Sequence, residues 1–164
     1  MRVAIITTDN AASTGDIPDA AGEAVRAFLK RKGVFLAGYA VMASDRTAVA
    51  SEICRLTDHY RADLILTVGG TGLSSSDIIP DVTYDVIEME VPGIGEALRM
   101  ALSQDWPGAM LSRATAGVRQ QTLIINLVGE EEMIERQLGL MWEVLPGAIG
   151  ELKGRGLLGR VDVK

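Results

Sequence analysis

The sequence predicts an α/β protein: a three-layer α/β/α fold with a mostly parallel, Rossmann-like sheet and a small antiparallel hairpin. Short aliphatic runs without polar alternation recur along the chain, as expected of strands that helices cover on both faces. Segments with helical apolar periodicity lie between them, and this alternation is typical of parallel sheets with right-handed crossovers. Aromatic residues make up only 4% of the 164 residues, so the predicted core is aliphatic.

The first half of the chain predicts three strands separated by two helices. Pro18 and Asp19 open the first helix and Gly33 ends it, because proline suits a first helical turn and glycine is a favoured C-terminal stop. Ser44 or Asp45 is expected to cap the second helix. The polar segment 9–17 is predicted to be a loop. The strands are predicted at 3–7, 34–42 and 63–68, and the helices at 18–32 and 47–60.

The second half predicts further helices and one hairpin. Two β-prone runs separated by a few polar residues favour the hairpin, and three consecutive acids after Gly129 suit a helix N-terminus. We expect residues 1–153 to form one domain and 154–164 to form a frayed tail. The helices are predicted at 80–89, 95–104, 130–138 and 141–153, and the hairpin strands at 115–118 and 122–128.

Composition excludes several classes of function. The net charge of −6 and the pI of about 4.8 argue against non-specific nucleic-acid binding. The chain has one cysteine, Cys54, and one histidine, His59, so neither a disulfide framework nor a His/Cys zinc cluster is expected. No signal-peptide pattern or apolar run of membrane-spanning length is present, so we expect a cytoplasmic protein without membrane contact.

The strongest candidate site is a glycine cluster that directly follows the third strand. Gly69, Gly70, Thr71 and Gly72 form a loop whose backbone N–H groups could cradle a phosphate. Asp77 follows closely enough to hold a cation against that anion. The alternative is an ordinary glycine-rich turn without a ligand, which is common in α/β proteins.

Three further segments could complete the site. Asp45 and Asp77 could share a Mg²⁺ ion, although Asp45 could equally be a helix cap. Gly93 would let the backbone approach a flat ligand and Glu96 could accept its N–H groups, unless Glu96 simply faces solvent. Arg113 could hold a phosphate or form a surface ion pair. The remaining candidates for substrate binding are Ser74, Ser112, Asn126 and Gly129.

In this order and spacing, the segments resemble the molybdopterin adenylyltransferases, the Mog and MoaB-type proteins of molybdenum cofactor synthesis. The resemblance covers nearly the whole chain and is therefore more specific than the glycine loop alone. It rests on residues 7–10 and 13–15, on 69–72 with Asp77, on 91–99, on 111–113 with 116–119, and on 123–127.

The resemblance implies a Mg²⁺-dependent transfer of AMP from ATP to the terminal phosphate of molybdopterin, with release of pyrophosphate. ATP and molybdopterin are then the substrates, Asp77 and Asp45 the catalytic and metal-binding residues, and the other candidates line the substrate site. It also implies a homotrimer and contact with the molybdenum-insertion enzyme.

The sequence departs from the family's motifs at three places. Ser76 replaces an arginine, Ser44 stands where gapless counting places the first acid of an acid pair, and Glu130, Glu131 and Glu132 replace a segment that offers donors and positive charge. One alternative is therefore a relative of little or no activity that binds molybdopterin as an assembly module. A second alternative is a dinucleotide-dependent oxidoreductase, but its glycine loop would be expected to have the spacing G-x-G-x-x-G, which this loop lacks.

Overall fold

Six strands form one mixed sheet in the computed structural model, which describes residues 1–154. The order across the sheet is β2-β1-β3-β6-β5-β4, in which the first four strands are parallel and β5 runs antiparallel to both of its neighbours, β6 and β4. The strands are β1 (Arg2–Thr8), β2 (Phe35–Met42), β3 (Leu64–Val68), β4 (Met89–Glu90), β5 (Ala116–Arg119) and β6 (Thr122–Leu127).

Helices cover both faces of this sheet. One core cluster packs α2, α5, α6 and α7 against one face, and a second packs α3 and α4 against the other. The helices are α1 (Asn10–Thr14), α2 (Ala20–Arg31), α3 (Arg46–Cys54), α4 (Ile79–Val86), α5 (Pro92–Leu102), α6 (Glu131–Met141) and α7 (Leu145–Leu152), with a π-helical turn at Arg55–His59 and a 3₁₀ turn at Pro107–Leu111.

The predicted α/β/α architecture, the parallel strands and the β5–β6 hairpin are confirmed. The prediction of a loop over 9–17 was wrong, because this segment contains α1. Asp9 caps that helix by accepting the Ala12 N–H at 2.8 Å, and Gly15 ends it at a φ of 82°. The short capped helix has no buried residue, so apolar periodicity gave no signal for it.

Several other elements differ from the sequence-based expectation. The helix predicted at 80–89 ends at Val86. Helix α5 begins at Pro92, since proline is well suited to a first helical turn. The short edge strand β4 was not predicted, and the acidic helix continues to Met141 before a break separates it from α7. All but the first residue of the predicted tail lies outside the described residues. None of the helices within 1–154 is long and apolar enough to cross a membrane.

Candidate functional site

A cleft of about 740 Å³ opens at the carboxyl edge of the parallel strands. The segments that follow β1, β3 and β6 form its floor, and the start of α2 and the 3₁₀ turn form its walls. Ligands of open α/β sheets bind at this edge. The topology therefore brings the glycine loop, Asp77 and the start of α6 to one place.

The glycine loop packs against its neighbours so closely that side chains would not fit. A Cβ at Gly69 would lie 3.0 Å from the carbonyl oxygen of Thr8, and one at Gly129 would lie 2.8 Å from the Cα of Gly69. Gly69 and Gly70 also have φ values of 81° and 62°, which favour glycine. The backbones at the carboxyl ends of β1, β3 and β6 are therefore in direct contact, without side chains between them.

This backbone presents hydrogen-bond donors to the cleft. Within residues 1–154, the N–H groups of Gly70, Thr71 and Gly72 donate to no protein acceptor. Helix α6 begins on the same side, and Glu130 and Glu131 at its start line the cleft. The first N–H groups of a helix lack intrahelical partners and attract anions. Both elements can therefore hold phosphate oxygens.

Asp77 lies on the rim of the cleft, as predicted. Its Oδ2 accepts the Ser74 N–H at 2.7 Å, which closes the turn that carries both residues. Ser74 itself is exposed and does not line the cleft. Ser112 does line it, is buried, and lies 3.5 Å from the Thr71 hydroxyl, oxygen to oxygen.

Arg113 holds the glycine loop from outside the cleft. Its Nε donates to the Gly72 carbonyl at 2.9 Å, another guanidinium N–H donates to the Asp77 carbonyl, and Nη1 donates to both oxygens of Asp81, at 3.1 and 2.9 Å. These acceptors occupy the guanidinium group. Arg113 therefore positions the loop and Asp77, and the structure does not place it at the cleft surface as a phosphate ligand.

Asp45 caps α3 and is not part of the cleft lining. Its Oδ1 accepts the Ala48 N–H at 2.8 Å, as the helix-cap alternative predicted. Ser44 lines the cleft instead, with its N–H donating to the side-chain oxygen of Asn10 at 2.8 Å. Of these two neighbours, the structure therefore places Ser44 and not Asp45 at the cleft.

Asn126 is fully buried within the sheet and does not face the cleft. Its amide nitrogen donates to the hydroxyls of Thr67 and Thr83 at 2.9 and 2.8 Å, and its oxygen accepts the Thr115 N–H at 3.2 Å. Gly93 and Glu96, in the first turns of α5, are exposed and also lie outside the lining.

The sequence-based prediction named no site residue in one wall of the cleft, which is formed by Thr7, Asp9 and Asp19. The Thr7 hydroxyl is buried without a hydrogen-bond partner among the described residues. Asp19 accepts the Gly22 N–H at 2.9 Å and the Tyr39 hydroxyl at 2.5 Å. Burial first, and then the hydrogen bond to Asp19, raise the pKa of Tyr39 well above its usual range, so its proton stays in that bond.

Trp106, on the opposite wall, was also missed. It packs against Leu102, Ala109 and Val128 and lines the cleft beside Gly108, whose added Cβ would lie 2.8 Å from the indole ring. This packing fixes a flat aromatic surface next to the phosphate cradle.

Comparisons with known proteins assign the family. The sequence pattern described as a probable molybdopterin binding domain matches residues 4–146. The chain belongs to this family. It is 31% identical over 159 residues to the molybdopterin adenylyltransferase of Helicobacter pylori, across 94% of this chain and 89% of that protein. It is also 31% identical over 140 residues to the enzyme of that name from Escherichia coli K12, across 84% and 72%.

Solved structures of the family have the same fold. The molybdopterin biosynthesis enzyme MoaB from Thermus thermophilus superimposes with a TM-score of 0.87 at 33% identity, covering 95% of this chain and 98% of that one. The molybdopterin biosynthesis Mog protein from Mycobacterium ulcerans gives a TM-score of 0.84 at 30% identity, covering 92% and 98%.

The cleft of this family member is acidic. Five carboxylates line it within the described residues, and no lysine or arginine does. Backbone N–H groups are therefore its own source of positive potential. The carboxylates are Asp9, Asp19, Asp77, Glu130 and Glu131.

The lining fits a Mg²⁺ ion that arrives with phosphate. Mg²⁺ usually takes one or two carboxylates and keeps its other positions for water and substrate phosphates. No group of three or more His, Cys, Asp or Glu residues in the described chain is arranged as an all-protein metal site. Among the lining carboxylates, that of Asp77 lies directly beside Gly72 of the glycine loop.

Proposed function

We propose that this chain acts in molybdenum cofactor synthesis by transferring AMP from ATP to the terminal phosphate of molybdopterin. The observation that carries the proposal is the cradle of backbone N–H groups at the glycine loop, which have no partner within residues 1–154 and lie beside Asp77 and the start of α6. Relatives named molybdopterin adenylyltransferase, which match over most of the chain, support the same activity.

The reaction needs no protein nucleophile. An oxygen of the molybdopterin phosphate attacks the α-phosphorus of ATP, the new P–O bond forms, and the bond from that phosphorus to the bridging α–β oxygen breaks. Its electron pair leaves with pyrophosphate. The attacking phosphate is already ionised at neutral pH, so positioning and charge neutralisation supply the catalysis. Both are what a backbone cradle provides.

Each part of the cleft has a task in this proposal. The N–H groups of Gly70, Thr71 and Gly72 hold phosphate oxygens, and Arg113 fixes the loop that carries them. Asp77 would hold Mg²⁺, which would supply neutralisation of phosphate charge there. Trp106 offers a fixed surface on which a flat heterocycle can stack. A homotrimer and contact with a molybdenum-insertion enzyme stay predictions from the family resemblance.

Two ATP analogues test which phosphorus is attacked. With purified protein, molybdopterin and Mg²⁺, the analogue with a methylene between the β- and γ-phosphates should still give adenylylated molybdopterin, because its α–β bridge is an ordinary oxygen. The analogue with a methylene between the α- and β-phosphates should give none. The opposite pattern would mean transfer of the γ-phosphate and would contradict the proposal. Binding of molybdopterin without product from ATP would leave only a binding module.

A further inference from the structure

A second cavity, of about 690 Å³, lies at the opposite edge of the sheet. It is formed where β1 and β3 begin and where the β5–β6 hairpin turns, with Arg2, Arg61, Asp63 and Gln121 in its lining. The seven residues of β1 separate this edge from the carboxyl edge by about 20 Å, at about 3.3 Å per residue. The cavity is therefore distinct from the proposed catalytic cleft.

The charge of this cavity is opposite to that of the cleft. Its only carboxylate within the described residues is Asp63, which is 4% exposed and accepts the Arg2 backbone N–H at 2.6 Å and the Lys153 ammonium group. That lysine and Asp63 neutralise each other. The guanidinium groups of Arg2 and Arg61 form no hydrogen bond or ion pair with residues 1–154. The cavity lining therefore has an excess of two positive charges, although the net charge of the chain is −6.

The backbone around the cavity is unusual in three places. Arg61 and Gln120 are the non-glycine residues with positive φ in the described chain, at 48° and 53°, and both line this cavity. The π-helical turn Arg55–His59, which contributes Thr57 to the lining, leads into Arg61. Left-handed non-glycine residues and π-helical turns both cost stability and concentrate at functional sites.

We propose that this cavity binds a small phosphate-class oxyanion through the guanidinium groups of Arg2 and Arg61. Each guanidinium fork can donate two parallel hydrogen bonds to a pair of oxygens. Two such groups match the charge of a tetrahedral dianion better than that of a single carboxylate. The side-chain amide of Gln121, which has no partner within the described chain, adds a further donor. This accounts for an arginine at position 61, where the backbone favours glycine.

The experiment titrates the full chain with inorganic phosphate and with pyrophosphate, at constant ionic strength and with EDTA to remove Mg²⁺. The backbone amide NMR signals of Ala62 and Gln121 report the affinity of this cavity separately from any binding at the glycine loop, and thermal unfolding reports the total stabilisation. Wild type should be stabilised with saturation, and Arg61→Gly and Arg2→Gln should each weaken binding about tenfold or more, which corresponds to loss of a charge-assisted hydrogen bond. Without anion, Arg61→Gly should unfold at a higher temperature than wild type, because glycine relieves the left-handed conformation.

Arg26→Gln is the matched control, because Arg26 is exposed, pairs with Glu23 and does not line the cavity. It should keep the affinity of wild type. The proposal is overturned if neither anion stabilises wild type at millimolar concentration, if Arg61→Gly retains full affinity, or if Arg26→Gln loses as much affinity as the cavity variants. Signals that move at the glycine loop and not at Ala62 would also overturn it.

Discussion

Replacement of Asn126 by alanine should destabilise the protein strongly and should do so without a direct effect on substrate contacts. The Asn126 amide links β6 to β3 and α4 by donating to Thr67 and Thr83, and it accepts the N–H of Thr115. The side chain is fully buried. The structure thus gives this residue a role in holding the sheet together beneath the cleft.

The size of the effect follows from these contacts. The two threonine hydroxyls lose a donor but keep their own O–H groups, and that of Thr67 still donates to the Ile125 carbonyl at 3.5 Å, so we assign most of the cost to Thr115. The Thr115 N–H, in a buried position, loses the one acceptor it has among the described residues, which costs about 1–3 kcal/mol, and the vacated volume adds about 1 kcal/mol. We therefore expect a decrease of about 2–4 kcal/mol in the free energy of unfolding, a large part of a typical domain's stability.

Urea unfolding followed by circular dichroism measures this change. Gln104→Ala is the matched control, because that amide is exposed and accepts one hydrogen bond from a surface arginine. It should change the unfolding free energy by less than about 0.5 kcal/mol. If Asn126→Ala unfolds like wild type but loses affinity for ATP, Asn126 is a ligand-binding residue and the structural reasoning is wrong.

Three other changes give independent tests. The double replacement Glu130→Gln and Glu131→Gln should tighten ATP binding about tenfold, as measured by calorimetry. The reason is that each like charge at about 6 Å from a phosphate costs about 0.7 kcal/mol even at the dielectric constant of water. Unchanged affinity would place both acids away from the phosphates. Thr7→Val should raise the free energy of unfolding by about 1 kcal/mol, because it removes a buried hydroxyl without a partner in the described chain, and a loss of stability would refute this. Burial raises the pKa of Asp63, but hydrogen bonds from a lysine and a backbone N–H outweigh it and hold that pKa below its ordinary value. The stability that Asp63 provides is therefore present above its unfolded pKa of about 4 and is lost as the pH falls through the lower folded pKa. The difference in unfolding free energy between wild type and Asp63→Asn should be constant at neutral pH and should decrease below about pH 4.

The sequence contained enough information for the sheet and its covering helices, because these elements bury continuous apolar surface. The strand β3 and the helix α2 are examples, with boundaries within about one or two residues of the prediction. Elements held by capping and edge pairing carried no such signal. Helix α1 buries no residue, and the strand β4 contributes only two exposed residues.

The candidate site was predictable where it depends on local backbone geometry. Gly69 to Gly72 and Asp77 lie at the cleft because a strand end and a glycine loop determine their position. Arg113 and Asn126 were proposed as ligand-binding residues from their residue type and position, whereas their partners, the Gly72 carbonyl and the Thr115 N–H, come from other segments of the chain. Such contacts between distant segments are invisible in a single sequence.

The wall containing Asp19 was missed for the same reason. Its partner Tyr39 is twenty residues away in β2, so the sequence carried only the signal of a helix start. Thr7 lies in a mostly apolar strand, so nothing in the sequence indicated that its hydroxyl would have no partner within the described residues. An unpaired polar atom beside a cleft becomes visible only when the surrounding side chains are in place.

The central claim is that this cleft transfers AMP, and the release of pyrophosphate tests it most directly. The full chain is mixed with molybdopterin, Mg²⁺ and ATP, and pyrophosphate is followed with time for wild type, Asp77→Asn and Asp85→Asn. Asp85 is the control, because it pairs with Arg46 on the surface and does not line the cleft. We predict release that requires molybdopterin, is about 100-fold slower in Asp77→Asn, and is unchanged in Asp85→Asn. Binding of both substrates without pyrophosphate, or full activity of Asp77→Asn, would contradict the account.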